Sequence, residues 1–352
     1  MSTDNETQNE LNWLEVDAAP FRLSGFAWHE QDGAFHRLPL SASPNVRPDI
    51  ELLAGQTAGG QVAFRSNSRK VAVKVDLKGP SNMDHMPATG QCGCDLYVGD
   101  PHQQHFQSVV RYDRAQDHYE SSLFEHPDPE MRSFTINLPL YEGIKSIQVG
   151  LAPDADIAAP PPWADPGRIV IYGTSIVQGG CASRPGMAHT NILSRTLNME
   201  FINLGFSGNG NGEASVIELV AAVPRATLII LDYEANSWIE GLQKSMPAAI
   251  DIIRKQRPET HILVLSRIPF SKDLTHNGDV IHREQCRDYQ AQVVDKRQRA
   301  GDANISFLDG TTLLDSPSFE CTVDGVHPSD LGFQQMADRM EPAIRAILSD
   351  LN

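Results

Sequence analysis

The chain reads as an α/β protein with a five-stranded parallel sheet covered by helices on both faces, preceded by an antiparallel β-sandwich of jelly-roll type. Three observations lead there. From residue 168 onward, short apolar strands alternate with helical windows. From 13 to 152 the pattern is period-2 runs cut by Gly, Pro, Asn and Asp, and a stretch with five prolines, 153–167, separates the two textures. At 352 residues the chain exceeds one ordinary domain, so two are expected.

Residues 1–12 are polar and are expected to form a frayed tail. The first twenty residues carry Asp4, Glu6, Glu10, Glu15 and Asp17 but no Lys, Arg or apolar h-region, which is not the make-up of a secretory signal. The sandwich is expected over 13–152. Its runs include Gln61-Val62-Ala63-Phe64-Arg65, Val71 to Leu77, Ser133 to Leu138 and Ile147 to Leu151, with no long helical window between them. Proline keeps the 153–167 linker extended and semi-rigid, which favours docked over independently tumbling domains.

The second domain, 168–352, is expected to place strands near 168–173, 200–204, 227–232, 260–267 and 305–309. Helical windows fall near 187–198, 212–223, 245–256, 280–299 and 330–349. In the last window Phe333, Met336, Met340, Ile344 and Ile347 share one stripe, with Pro342 a candidate kink.

Composition narrows the function. A net charge of −16 argues against nucleic acid and anionic membrane surfaces as partners, since both recruit Lys and Arg. No apolar run approaches the ~20 residues that span a bilayer. Five cysteines, Cys92, Cys94, Cys181, Cys286 and Cys321, are an odd and sparse set that suits reduced thiols, so a cytoplasmic location is expected. Cys92-x-Cys94 lacks a second pair at zinc-site spacing, and no metal is expected there.

The stretch with the most chemical content is Ile169-Val170-Ile171-Tyr172-Gly173-Thr174-Ser175. A hydroxyl on a tight turn after a buried strand is held at the rim of a parallel sheet beside backbone N–H groups, which makes Ser175 a candidate nucleophile. The alternative is a strand-to-helix connection with Ser175 as the helix cap. A serine nucleophile needs a base and an orienting group. Beyond the last strand, Asp324 precedes His327 by three residues, a spacing that lets the carboxylate hold one ring nitrogen while the other faces Ser175. A surface turn with Ser329 as a cap would look the same. The Gly- and Asn-rich loop Asn203 to Gly212 contains Gly208 and follows the second strand. Such a loop brings backbone N–H groups near a ligand, and no phosphate-binding lysine or dinucleotide pattern follows it. Asn236 follows the third strand, as an oxyanion donor or as turn chemistry.

Taken together, Gly173-Thr174-Ser175, Gly208, Asn236 and Asp324-Gly325-Val326-His327 resemble the four blocks of the SGNH (GDSL-like) hydrolases. Gly180 to Met187 is similar to a subgroup whose first block reads Gly-Thr-Ser. That subgroup carries an amino-terminal β domain marked Gly-x-Asp-Leu-Tyr, matched here by Gly93-Cys94-Asp95-Leu96-Tyr97. The resemblance implies a flavodoxin-like three-layer sandwich for the second domain. It also implies Ser175 as nucleophile, His327 as general base and then acid, and Asp324 as its orienter. The Ser175 N–H, the Gly208 N–H and the Asn236 side chain would form the oxyanion hole. Thr174 departs from the Asp that most of the superfamily has.

By the same resemblance the chain is a cofactor-free serine esterase for short acyl groups, acetyl on carbohydrate first among them. Its partner is then a small-molecule or oligosaccharide ester, with no nucleic acid and no membrane. A general carboxylesterase or thioesterase, or a carbohydrate-binding protein with an inactive hydrolase domain, stay open. His102 and His105 read as surface residues. Trp163 and Trp238 read as domain-junction packing or a sugar platform, Asp95 and Tyr97 as interdomain contacts, and Arg184 as an anion contact or an exposed charge.

Overall fold

A computed structural model describes residues 11–315 and 318–350. Residues 1–10 of the expected tail lie outside the described residues, while Asn12 already belongs to a strand. The amino-terminal part contains β1 (Asn12–Glu15), β2 (Arg22–Ser24), α1 (His29–Asp32), α2 (Pro48–Ala54), β3 (Gln61–Ser66), β4 (Lys70–Leu77), α3 (Ala88–Gln91), β5 (Asp95–Val98), β6 (His105–Val109), β7 (His118–Glu125), β8 (Arg132–Asn137) and β9 (Ile144–Leu151). They form two sheets. One runs β1-β9-β4-β7, and the other β3-β8-β5-β6 with β2 alongside β3, every pairing antiparallel. Alternation places Val62, Phe64, Val73, Val75, Phe134, Ile136, Ile147 and Val149 in the apolar layer between the sheets.

The proline-rich stretch does more than connect. Its residues Ile157–Ala158 form β10, which extends the second sheet by pairing with β3. On its far side, Ala164 N–H donates to Asn198 C=O of the second half.

The second half alternates β11 (Arg168–Gly173), α4 (Ser175–Gln178), α5 (His189–Leu197), β12 (Glu200–Gly205), α6 (Ala214–Ala222), β13 (Ala226–Asp232), α7 (Glu234–Gln256), β14 (His261–Leu265), α8 (Asn277–Arg299), β15 (Ile305–Leu308) and α9 (Asp330–Asp350). The five strands are parallel in the order β12-β11-β13-β14-β15, the flavodoxin-like arrangement. One apolar layer beneath the sheet takes α5 and α9, where the stripe Phe333, Met336, Met340, Ile344, Ile347 is buried. The other takes α6, α7 and α8. Pro342 stands inside α9 without ending it.

Two features depart from the sequence expectation. The helix expected from 245 begins at Glu234 and contains a break at Trp238, whose φ of 51° and ψ of −177° are not helical. More consequentially, residues 28–54 belong to neither β-sheet. Pro48 opens α2 at its first turn, where a missing N–H costs nothing. Trp28, Leu38, Val46, Ile50 and Ala54 then pack in the layer that holds Val170, Tyr172, Ile202 and Phe206. Arg37, with no exposed surface, donates to the C=O groups of Asn203 (3.1 Å), Gly205 (2.6 Å), Leu53 (2.6 Å) and Gln56 (2.9 Å).

Candidate active site

Parallel strands bring every strand-to-helix connection to one edge, so residues 152 positions apart can meet there. Strand β11 is buried along nearly its whole length and stops at Gly173. Thr174 is the N-cap of α4, its side chain accepting from Ile176 N–H at 3.4 Å. The capping task therefore falls to Thr174, and the Ser175 hydroxyl faces the imidazole instead. Ser175 Oγ lies 2.8 Å from His327 Nε2. The Ser175 C=O accepts from Gly180 N–H (2.8 Å), Gly179 N–H (3.1 Å) and the Tyr141 hydroxyl (3.1 Å), the last arriving from the β domain.

The loop that carries the imidazole is fixed by its own carboxylate. Asp324 Oδ1 accepts from His327 N–H (2.8 Å) and Val326 N–H (3.0 Å), while Oδ2 is 2.7 Å from His327 Nδ1. Gly325 at φ +86° supplies the left-handed turn that lets both happen within three residues. Val323 N–H donates to His327 C=O, and Ser329 N–H to Cys321 C=O, closing the loop at the start of α9. Partial burial raises the Asp324 carboxyl, but the hydrogen bonds from His327 and the Val326 amide outweigh it and hold the group below the usual carboxylate range.

Asn236 is tied to the same rim through Gly210, two residues beyond Gly208 in the loop. Gly210 N–H donates to Asn236 Oδ1 at 3.3 Å, which commits the oxygen and leaves the Asn236 amide N–H groups to point elsewhere. A Cβ on Gly210 would stand 2.3 Å from Gly173 C=O, so the loop lies directly on the end of β11. Phe206 N–H donates to that same carbonyl. Gly208 is exposed at φ +67°. Gln178 braces the arrangement, accepting from Ser207 N–H (3.0 Å) and donating to Leu140 C=O (3.1 Å) and Gln56 Oε1 (2.5 Å).

Arg184 is not an exposed charge. It donates to Asp95 (2.8 Å) and to the Tyr97 hydroxyl (2.7 Å), with its guanidinium 3.7 Å over the Phe106 ring. Asp95 also accepts from Gly186 N–H and Asn137 Nδ2, so the Asp-Leu-Tyr stretch holds the β domain to the segment after α4. Trp163 packs under the Arg22 guanidinium at 4.0 Å. Trp238 is 39% exposed beside His282 and Lys272, away from the domain junction. His102 and His105 are exposed.

Tyr141, Gln178, His85 and Cys181 were not legible as site residues: Tyr141 and His85 come from the β domain, and neither Gln178 nor Cys181, though the latter lies in the Gly180 to Met187 run, stands at a position to which the resemblance gives a role. His85 sets its ring 5.9 Å from that of His327. Cys181 is buried, and burial together with Asp324 pushes its thiol up to about 12, so it does not compete with Ser175 as a nucleophile. At His85 and Cys181 opens a cleft of about 940 Å³, walled by Asn82, Met83 and Arg114 of the β domain and by Ser183, Val323 and Leu331 of the second half.

The GDSL-like lipase/acylhydrolase family model matches residues 167–345, and the model for the N-terminus of Esterase_SGNH_hydro-type, named GxDLY, matches residues 11–157. The chain belongs to the GDSL-like lipase/acylhydrolase family. Among solved structures it is similar to a candidate GDSL-like lipase from Bacteroides ovatus ATCC 8483, with 29% identity over 97% of this chain and 98% of that one and a TM-score of 0.88. It is also similar to the salicylyl-acyltransferase SsfX3 from a tetracycline biosynthetic pathway, with 20% identity, 96% and 98% coverage and a TM-score of 0.78. A family two carbohydrate esterase from Cellvibrio japonicus matches at 13% identity over 97% and 99% of the two chains, with a TM-score of 0.61. At these identities the last two speak to the fold alone. No curated protein matches the chain in sequence. Among the described residues, no helix of this family member is long and apolar enough to cross a membrane.

Proposed function

We propose that the chain is a serine esterase that hydrolyses short-chain esters, acetyl esters of carbohydrates foremost, through an acyl-enzyme. The observation that carries this is the continuous relay from Ser175 Oγ to His327 Nε2 (2.8 Å) and from His327 Nδ1 to Asp324 Oδ2 (2.7 Å). Ser175 Oγ bonds to the ester carbonyl carbon while its proton passes to Nε2, and Asp324 steadies the imidazolium that forms. The carbonyl oxygen takes the negative charge and is met by the Ser175 N–H, the Gly208 N–H and the Asn236 amide. Collapse breaks the bond to the alcohol, which leaves with the proton from Nε2. Water then repeats the sequence on the acyl-enzyme and releases the acid.

A polar alcohol finds Asn82 and Arg114 in the lining of the cleft that reaches His85 and Cys181, beside apolar Met83, Val323 and Leu331. The wild type is expected to turn over p-nitrophenyl acetate, and Ser175→Ala to lose that rate by about 10⁴-fold or more. Undiminished turnover in the variant would remove Ser175 from the mechanism. A mass-spectrometric survey of acetylated oligosaccharides then tests the substrate class, and no acetate release from any of them would count against carbohydrate.

A further inference from the structure

His327 has two neighbours that acyl transfer does not employ. His85, on the loop between β4 and α3, lies ring to ring with it, and Cys181 follows α4 with a buried sulfur. Cys181 holds φ at +74°, a region that a residue with a Cβ enters at an energetic cost. One ligand-capable atom each from His85, Cys181, Asp324 and His327 lies within 4.8 Å of the other three. Two imidazoles, a thiol and a carboxylate at that spacing are a donor set that suits a borderline-soft dication in four-coordination.

We propose that this quartet is a regulatory site for a zinc-class divalent cation, and that the bound cation switches the hydrolase off. The consequence for activity rests on the reading of His327 as general base. His85 Nδ1 is 3.2 Å from Asp84 Oδ1, an outer carboxylate of the kind that orients ligating imidazoles, which leaves Nε2 for the cation. His327 has no spare nitrogen, since Nε2 serves Ser175 and Nδ1 serves Asp324. Whichever nitrogen the cation takes, the relay is broken. The exchange balances without redox change: the Cys181 S–H bond breaks, a sulfur–cation bond forms, and the proton leaves to solvent. The cleft reaches both His85 and Cys181 and gives the ion a path in.

The test titrates zinc chloride against p-nitrophenyl acetate hydrolysis by the wild type, His85→Ala and Cys181→Ser, each scored relative to its own metal-free rate. Zinc is expected to inhibit the wild type, with full recovery on adding EDTA. The half-inhibiting concentration is expected to rise by about tenfold or more in each variant. Equal zinc sensitivity in all three proteins, or none in the wild type, would overturn the site. His85 is exposed on a loop, so its variant is expected to fold even if the buried cysteine variant does not. Cobalt(II) supplies a readout independent of turnover. A near-ultraviolet thiolate-to-cobalt band is expected in the wild type and in Ser175→Ala and is expected to be missing in Cys181→Ser, whereas its absence from the wild type would overturn the site. Retained hydrolysis by Ser175→Ala would remove Ser175 as the nucleophile, while the cobalt band judges the cation site separately.

Discussion

Thr174 settles what Ser175 is free to do. In the sequence a serine after a strand serves equally as a helix cap, and the Thr174 side chain on Ile176 N–H, with the Ser175 hydroxyl on His327, separates the two possibilities. The same contact accounts for the departure from Asp: capping α4 needs one acceptor oxygen, which threonine supplies. Asp324 was legible because three residues suffice for a carboxylate to reach an imidazole, and its two oxygens divide the work between backbone amides and ring. His189 was not legible. It opens α5 fully buried, stacked on Phe333 at 5.6 Å, and neither ring nitrogen finds a hydrogen-bond partner among the described residues. Burial lowers its pKa to about 4. The folded state then keeps the ring neutral while the unfolded chain takes up a proton, so stability is lost as pH falls from about 6.5 toward 4. The loss amounts to roughly 3 kcal/mol. His189→Phe is expected to flatten the fall in Tm between neutral and mildly acidic pH, and equal slopes in both proteins would contradict that assignment.

At the scale of elements, the strand ends are the organising feature. The five strands and the order of the blocks after them were legible because buried parallel strands are continuous apolar runs, hard to mistake when helical windows separate them. Helix starts were less legible. The Asn236 segment forms a turn of helix ahead of the break at Trp238, and no periodicity marks a turn that short. The Gly208 loop is positioned by packing: Gly210 approaches Gly173 so closely that a methyl group would meet its carbonyl oxygen at 2.3 Å. Gly210→Ala must push the loop off β11 and with it the contact to Asn236 Oδ1. Its kcat is expected to fall by on the order of 10²–10³, the range for losing one oxyanion donor. Stability is expected to drop by about 1–3 kcal/mol, read from urea unfolding. A variant with native kcat would show that the loop tolerates displacement.

Across the whole molecule, the two textures seen in the sequence are real, but the packing crosses between them. The stretch from Trp28 to Ala54 comes before most of the β domain in sequence yet completes the core around β11 and β12, with Arg37 tying down the carbonyls of β12. Period-2 runs on either side disguise it, and nothing in a local window states which sheet a segment will cover. The ion pair of buried Asp95 with half-buried Arg184 adds a second tie, and Tyr141 a third that ends on the Ser175 carbonyl. A fragment of residues 168–352 is therefore expected to lack a stable native fold, because it exposes the apolar layer that Ile50 and Leu38 cover; a fragment as stable as the full chain would contradict this. The central claim is that a hydroxyl, an imidazole and a carboxylate drawn from remote parts of the chain act as one unit. Peptide mapping after reaction with a fluorophosphonate tests it most directly. Labelling of Ser175 in the wild type, strongly suppressed in His327→Ala and in Asp324→Asn, is the result expected, whereas an unlabelled Ser175, or equal labelling in all three proteins, would contradict it.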